Sequence, residues 1–265
     1  TLEDRAGSDV TTRSRDGRCR SPARNRSAAW ESRFRRSLSR LSLMPLKLIG
    51  RINLDLWIVG LVALFLLLLA SFDGDLMIAR CFFFDVTTNE WIARHDWWAN
   101  ELLHTGGRNL MRVIGVLALM AWAATYRSTR LATHRADLGY FAACMVLVPL
   151  AIGALKQITN VDCPWDLQGF GGNMPMIHWF ESRPAELPHA ACFPGAHSSS
   201  AFALFGLFFL WRASKPTWAT IALLTTLILG GAFSLAQQSR GAHFLSHDVV
   251  SGLLAWLICL GLYRF

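Results

Sequence analysis

From residue 56 onward the chain alternates long apolar runs with polar stretches. Leu56–Phe72 holds seventeen apolar or small residues without a charge, near the lower limit for crossing a bilayer. Five further apolar runs follow, at about Gly106–Tyr126, Leu138–Leu155, Ser198–Trp211, Thr217–Ala236 and Val249–Tyr263. Ser198–Trp211 and Val249–Tyr263 reach a full span only if the polar residues before each form its first turn. The pattern predicts an all-α fold: a six-transmembrane-helix bundle. Core helices of a soluble bundle are the competing reading, but all six runs are strongly apolar and almost free of charge, which favours a membrane.

Charge adds an orientation. Lys47 and Arg51 precede the first run, Arg127, Arg130 and Arg135 lie between the second and third, Arg212 and Lys215 between the fourth and fifth, and Arg264 ends the sixth. All fall on one side, which the positive-inside rule makes cytoplasmic. The other side then carries the acidic loop Asp73–Thr105, the long loop Gln157–His197 and the turn Arg240–His247. The expectation is an integral membrane protein, such as one of the bacterial inner membrane, with both termini cytoplasmic and an extracytoplasmic site. Within the acidic loop, Trp91–Leu103 sets Trp91, Trp97 and Trp98 beside Arg94, His95 and Asp96. It predicts an amphipathic helix lying at the interface.

Composition agrees: 53% of the 265 residues are hydrophobic and 17% charged. The formal charge of +8 is uneven, because residues 1–43 hold eleven arginines and five acids. This Arg- and Ser-rich leader has no apolar period and is expected to be disordered. A basic arm on anionic lipid and a targeting segment are two readings of it. We favour a third, sequence upstream of a start at Met44, which leaves residues 44–265 as the membrane domain.

Two polar stretches open apolar runs on the outer side. Cys192-Phe193-Pro194-Gly195-Ala196-His197-Ser198-Ser199-Ser200 precedes the fourth run, and Ser239-Arg240-Gly241-Ala242-His243-Phe244-Leu245-Ser246-His247-Asp248 precedes the last. Serines cap helices, and the first N–H groups of a helix favour anions. With Lys156 and Arg183, these stretches bring cations, imidazoles and a carboxylate to the outer ends of spans three to six. That set suits a phosphoryl group: lysine binds it as a point charge and arginine as a fork, and imidazole serves as nucleophile or general acid. Each residue also has a plainer reading. Lys156 would snorkel from a helix C-terminus, and Arg240 would contact head groups. His197 would be a satisfied cap. His243 and His247 have the spacing of a zinc pair, so a zinc hydrolase built on His197, His243, His247 and Asp248 is the competing enzyme. Cys163 and Cys192 share the outer loop, where oxidation is permitted. A bridge would restrict the unfolded chain by roughly 3–4 kcal/mol; two free thiols, or a metal pair with His189, are the alternatives.

The residues resemble the type 2 phosphatidic acid phosphatase superfamily, which is related to vanadium haloperoxidases. Its first motif is lysine, six residues, then Arg-Pro, and here Lys156 is followed after six by Cys163-Pro164. Its second is Pro-Ser-Gly-His, matched by Pro194-Gly195-Ala196-His197. Its third is Ser-Arg, a spacer, a histidine, and an aspartate four further on; here stand Ser239-Arg240, His243, and His247 with Asp248 beside it. The departures are Cys163 for the first-motif arginine, for which Arg183 is a candidate substitute, Gly195 for the serine, and Gln237 where the third-motif arginine belongs.

The resemblance implies a membrane phosphatase with its active site at the outer ends of helices 3–6 and a phospho-histidine intermediate. His243 would be the nucleophile and His197 the acid. Either Asp248 or His247 would orient His243. Lys156, Arg240 and the N–H groups at Gly195, Ala196 and Ser198 would hold the phosphoryl oxygens. No metal or cofactor is implied. The substrate would be a lipid phosphate or pyrophosphate: phosphatidate-like, polyprenyl pyrophosphate or lipid A phosphate. A phosphotransferase with the same intermediate, and a non-catalytic lipid-phosphate binder or transporter, remain open. The partners expected are that lipid and the bilayer, not nucleic acid; the oligomeric state is not legible.

Overall fold

The computed structural model describes residues 54–178 and 181–265, and Ile58–Phe265 form one compact unit. The Arg- and Ser-rich leader, Met44, Lys47 and Arg51 lie outside the described residues.

Among the described residues four helices are long and apolar enough to cross a membrane. They are α1 (Leu54–Ser71), α4 (Arg135–Thr159), α7 (Pro216–Ser239) and α8 (Leu245–Arg264). The other two predicted spans differ for local reasons. α3 (Gly107–Ala124) is long enough but carries Arg108 and Arg112 near its start. The fourth run is broken into α5 (Ala196–Phe202) and α6 (Phe205–Trp211). The hydroxyls of Ser199 and Ser200 donate back to the carbonyls of Ala196 and His197, both at 2.7 Å, a habit that bends helices.

α4 to α8 share the main core. Cys144, Val148 and Ile152 of α4 meet Phe205 and Phe209 of α6, Phe233 of α7 and Ala255 and Cys259 of α8. The outer surface stays apolar: Leu64, Leu150 and Ile228 are 52%, 63% and 69% exposed. Apolar exposure on this scale is rare in soluble proteins and compatible with lipid around the helices.

One end of the bundle carries the arginines that followed the positive-inside pattern. Arg135 donates to the Thr125 carbonyl at 2.9 Å and lies over Tyr126; Arg212 lies over Phe209 and Tyr263. The opposite end is capped by the loops. The stretch expected to be an acidic loop contains a helix, α2 (Gly74–Phe82), and a two-stranded hairpin, β1 (Phe84–Asp85) and β2 (Glu90–Trp91), so the fold is not purely helical. Trp91 is therefore not on an interfacial helix. It is 3% exposed, stacked on Phe170, and its indole N–H donates to the Phe170 carbonyl at 3.2 Å. The helical part of that stretch is a π-helical segment, Trp98–Gly106, running into α3. Trp97 before it is exposed and suits an interface.

The cap fixes the long loop after α4. Asn160 ends α4 with a left-handed backbone, a conformation asparagine tolerates, and its side chain accepts the Ala190 N–H at 2.8 Å. Cys163 and Cys192 are joined by a disulfide with Cα atoms 5.1 Å apart. Alkylation under denaturing conditions without reductant should therefore label Cys81, Cys144 and Cys259 and spare Cys163 and Cys192. Label on either of those two would contradict the pairing.

Candidate active site

The two polar stretches meet at the capped end. Gly195 N–H donates to the His247 carbonyl at 3.0 Å, and Ser198 Oγ donates to Asp248 Oδ1 at 2.7 Å. The same carboxylate oxygen lies 2.9 Å from His243 Nδ1. Both members of that pair are buried, His243 at 4% and Asp248 at 2% exposure. An ionised carboxylate only accepts, so Asp248 holds a proton on His243 Nδ1 and leaves Nε2 with its lone pair free.

Each neighbour contributes to holding this pair. α8 starts at Leu245, so His243 sits in the turn before it and Asp248 in its first turn. That first turn is capped by Asp75 of α2, whose carboxylate accepts the Ser246 N–H at 3.0 Å. Burial, as the leading cause, raises the Asp75 pKa above its ordinary value. The turn is anchored from outside, because Trp165 N–H donates to the Gly241 carbonyl and Ala93 N–H to the Ser239 carbonyl. Gly241 has φ +78°, and a Cβ there would lie 2.4 Å from the Trp91 ring. Gly195 is constrained on the inner side: a Cβ there would lie 2.5 Å from Asp248 Oδ1 and 2.9 Å from His243 Nδ1. The hydroxyl at this place comes instead from Ser198, one helical turn on.

His247 does not orient His243. Its ring centre is 5.9 Å away, its carbonyl accepts from Gly195 and Ser251, and its Nδ1 has no partner among the described residues. Since His243 precedes the helix, the two histidines also do not share a helical face. Among the described residues no group of three or more His, Cys, Asp or Glu side chains is placed to hold a metal ion.

A cavity of about 660 Å³ opens beside His243, lined also by Lys156, Ala196, His197, Gln237 and Arg240. His197 stacks on Phe233 and lies with its Nε2 3.1 Å from the Leu103 carbonyl. A carbonyl only accepts, so Nε2 carries the proton and Nδ1 is the nitrogen free to exchange one. Arg240 donates to Gln237 Oε1 at 2.8 Å, and Gln237 Nε2 stands 2.6 Å from His104 Nδ1. The glutamine in the place of the family arginine thus links Arg240 to a third imidazole.

Two expected substrate contacts are not delivered. Arg183 is ion-paired with Asp162, donates to the Pro188 carbonyl at 2.8 Å, and lines a separate cavity of about 360 Å³. A carboxylate in reach neutralised it before any substrate could. The N–H of Gly195 is taken by the His247 carbonyl, and in this turn Ala196 and His197, not Ser198, line the cavity.

Three residues were missed in the sequence. His104, Arg108 and Arg112 all line the cavity. Burial first, then the nearby Arg240 and Arg108, pushes His104 down to about 4, so it is neutral near pH 7. Their spacing of four was legible, and two arginines inside an apolar run are a functional signal by themselves.

The PAP2 superfamily model matches residues 137–265, from the start of α4 to the end of the chain. That match supports phosphatase-type activity on phosphate esters. No curated protein and no solved structure matches the chain.

The crowding at Gly195 generates a prediction. Gly195→Ala must displace Asp248 or His243, and overpacking of this kind costs about 1–3 kcal/mol. Thermal unfolding in detergent should show the loss, and Ser198→Ala should show a smaller one. An unchanged midpoint for Gly195→Ala would mean that the Asp248–His243 pair yields without strain.

Proposed function

We propose that this chain, whose residues 137–265 match the PAP2 superfamily model, is a membrane phosphatase that removes a phosphoryl group from a lipid through a phospho-histidine on His243. The observation carrying the proposal is the buried Asp248–His243 pair facing a cavity whose charged lining is cationic. Among the described residues no aspartate or glutamate lines that cavity. Zinc or magnesium chemistry calls for carboxylate, imidazole or thiolate ligands grouped around one point; this lining suits an anion.

In the proposed reaction His243 Nε2 attacks phosphorus, and the N–P bond forms as the ester P–O bond breaks. Asp248 stabilises the positive charge that develops on the imidazole, as a carboxylate does in hydrolytic triads. Lys156 and Arg240 stabilise charge on the phosphoryl oxygens, the larger share of catalysis in such transfers. His197, entering the cycle protonated on Nδ1 as well as Nε2, gives the Nδ1 proton to the leaving oxygen, then recovers one from the water that releases inorganic phosphate. Gln237 fixes Arg240 while its own amide is held by His104.

The reading of lipid as substrate class rests on the cavity wall. Beyond the polar residues the cavity is lined by Met111, Val116 and Leu119 of α3 and Met145, Val146 and Pro149 of α4. An apolar groove between two membrane-exposed helices receives a tail while the head group reaches His243. The cavity lies at the end opposite Arg127, Arg135 and Arg212, so by the positive-inside rule it opens away from the cytoplasm.

A panel of lipid phosphates assayed in detergent, with phosphate and lipid products both followed, tests the proposal. Phosphate release that survives chelation and disappears in His243→Ala is expected; release unaffected by that substitution would refute it. Release of phosphate to a second lipid instead of water would identify a phosphotransferase. The histidines separate by leaving group. An alkoxide needs a proton and a nitrophenolate scarcely does, and general acid catalysis is worth about 10²–10⁴-fold where it is needed. His197→Ala should therefore slow the first step on an alkyl phosphate far more than on nitrophenyl phosphate, while His243→Ala stops both. Equal slowing by His197→Ala would remove it from the acid role.

A further inference from the structure

The proposed phosphatase accounts for Lys156, Arg240 and the histidines, but not for Arg108 and Arg112. These two stand one turn apart on α3, both solvent-exposed and both lining the cavity that His243 faces. Like charges four apart on a helix repel. Among the described residues Arg108 has no hydrogen bond or ion pair, and Arg112 has only a 3.4 Å bond to Asn109. Among the described residues no carboxylate lines the cavity to balance them.

The order of residues along α3 supplies the rest. From the reacting end inward, the cavity wall runs His104, Arg108, Arg112, then Gly115, Val116 and Leu119. On α4 it runs Lys156, then Pro149 and Val146. The unassigned arginines therefore lie between the group that reacts and the groove that takes the tail. A phosphate monoester carries about −1.5 to −2 charges at pH 7, which Lys156 and Arg240 already match. Two further unbalanced cations between head and tail call for a second anionic group at that point.

We infer that Arg108 and Arg112 form a subsite for the inner phosphate of a lipid diphosphate, making this the preferred substrate class. The inference rests on the phosphatase reading above. His243 Nε2 would attack the terminal phosphorus, forming N–P as the bond from that phosphorus to the bridging oxygen breaks. The electron pair stays on the bridging oxygen, and the lipid monophosphate departs with its charge held by the two arginines. Water then takes the phosphoryl group from His243, giving inorganic phosphate and the free imidazole. Cations placed on a departing anion act in the transition state as well as in binding, so both kcat and KM respond.

The test compares two substrates with one tail, farnesyl diphosphate and farnesyl monophosphate, in detergent. The double variant Arg108→Gln, Arg112→Gln should lose about 10- to 100-fold in kcat/KM on the diphosphate, the loss expected for charge-assisted hydrogen bonds. Turnover of the monophosphate should stay within about threefold, which also reports an intact fold. The Lys, Lys double variant should recover part of the diphosphate activity, since it keeps charge without the fork. An equal loss on both substrates would overturn the inference and assign the arginines to the reacting phosphoryl group. No loss on the diphosphate would overturn it and leave them as interfacial side chains. If the unaltered protein releases phosphate from neither substrate, the phosphatase reading falls, and this inference with it. Turnover of the monophosphate without preference for the diphosphate sinks the inference alone.

Discussion

The structure depends on a hydrogen bond between two buried side chains, His243 Nδ1 and Asp248 Oδ1, 2.9 Å apart. A buried carboxylate is costly unless it is paired and hydrogen-bonded. Here it has an imidazole and a serine hydroxyl on one oxygen, and it lies within electrostatic reach of Lys156. The surrounding features follow from keeping that arrangement dry and fixed. Gly195 has no side chain because there is no room for one. Asp75 caps α8 because no side chain at its own N-cap does so. The turn before His243 is tied to the cap by backbone hydrogen bonds and pressed against Trp91. The disulfide ties the start of the loop after α4 to its end, which delivers Gly195.

Polarity divides the cavity along the same axis. At one end are His243, His197 and the cations Lys156, Arg108, Arg112 and Arg240; at the other, apolar side chains of α3 and α4. A soluble phosphate would gain nothing from the second half. In water such a cationic cluster would be screened within about 8–10 Å, whereas next to hydrocarbon its field persists and selects anions strongly.

Much of this was legible in the sequence, for stated physical reasons. Spans one, three, five and six were visible because a bilayer demands long uninterrupted apolar runs. The pairing of Pro194–His197 with Arg240–Asp248 followed from topology, since loop charges put both on one side. Whether His247 or Asp248 faces His243 was not legible, because one residue of register decides it. That register is set by where α8 begins, which Asp75, 171 positions away in sequence, controls. Trp91 looked interfacial because nothing local reveals Phe84 and Phe170 packing around it. Arg183 looked free because its partner Asp162 lies 21 residues off. The stripe His104, Arg108 and Arg112 was on the page as a spacing of four. Apolarity of the run as a whole hid it.

In the proposed reaction His243 Nε2 carries the phosphoryl group. The direct measurement is a rapid quench at alkaline pH, where phosphoramidates survive, after brief mixing with a lipid phosphate, followed by peptide mass spectrometry and phosphorus NMR. A phosphoryl group on the peptide containing His243, bonded through Nε2 and lost on longer incubation, is the predicted result. Turnover with that peptide unmodified at every time point, or a phosphoryl group on Nδ1, would contradict it.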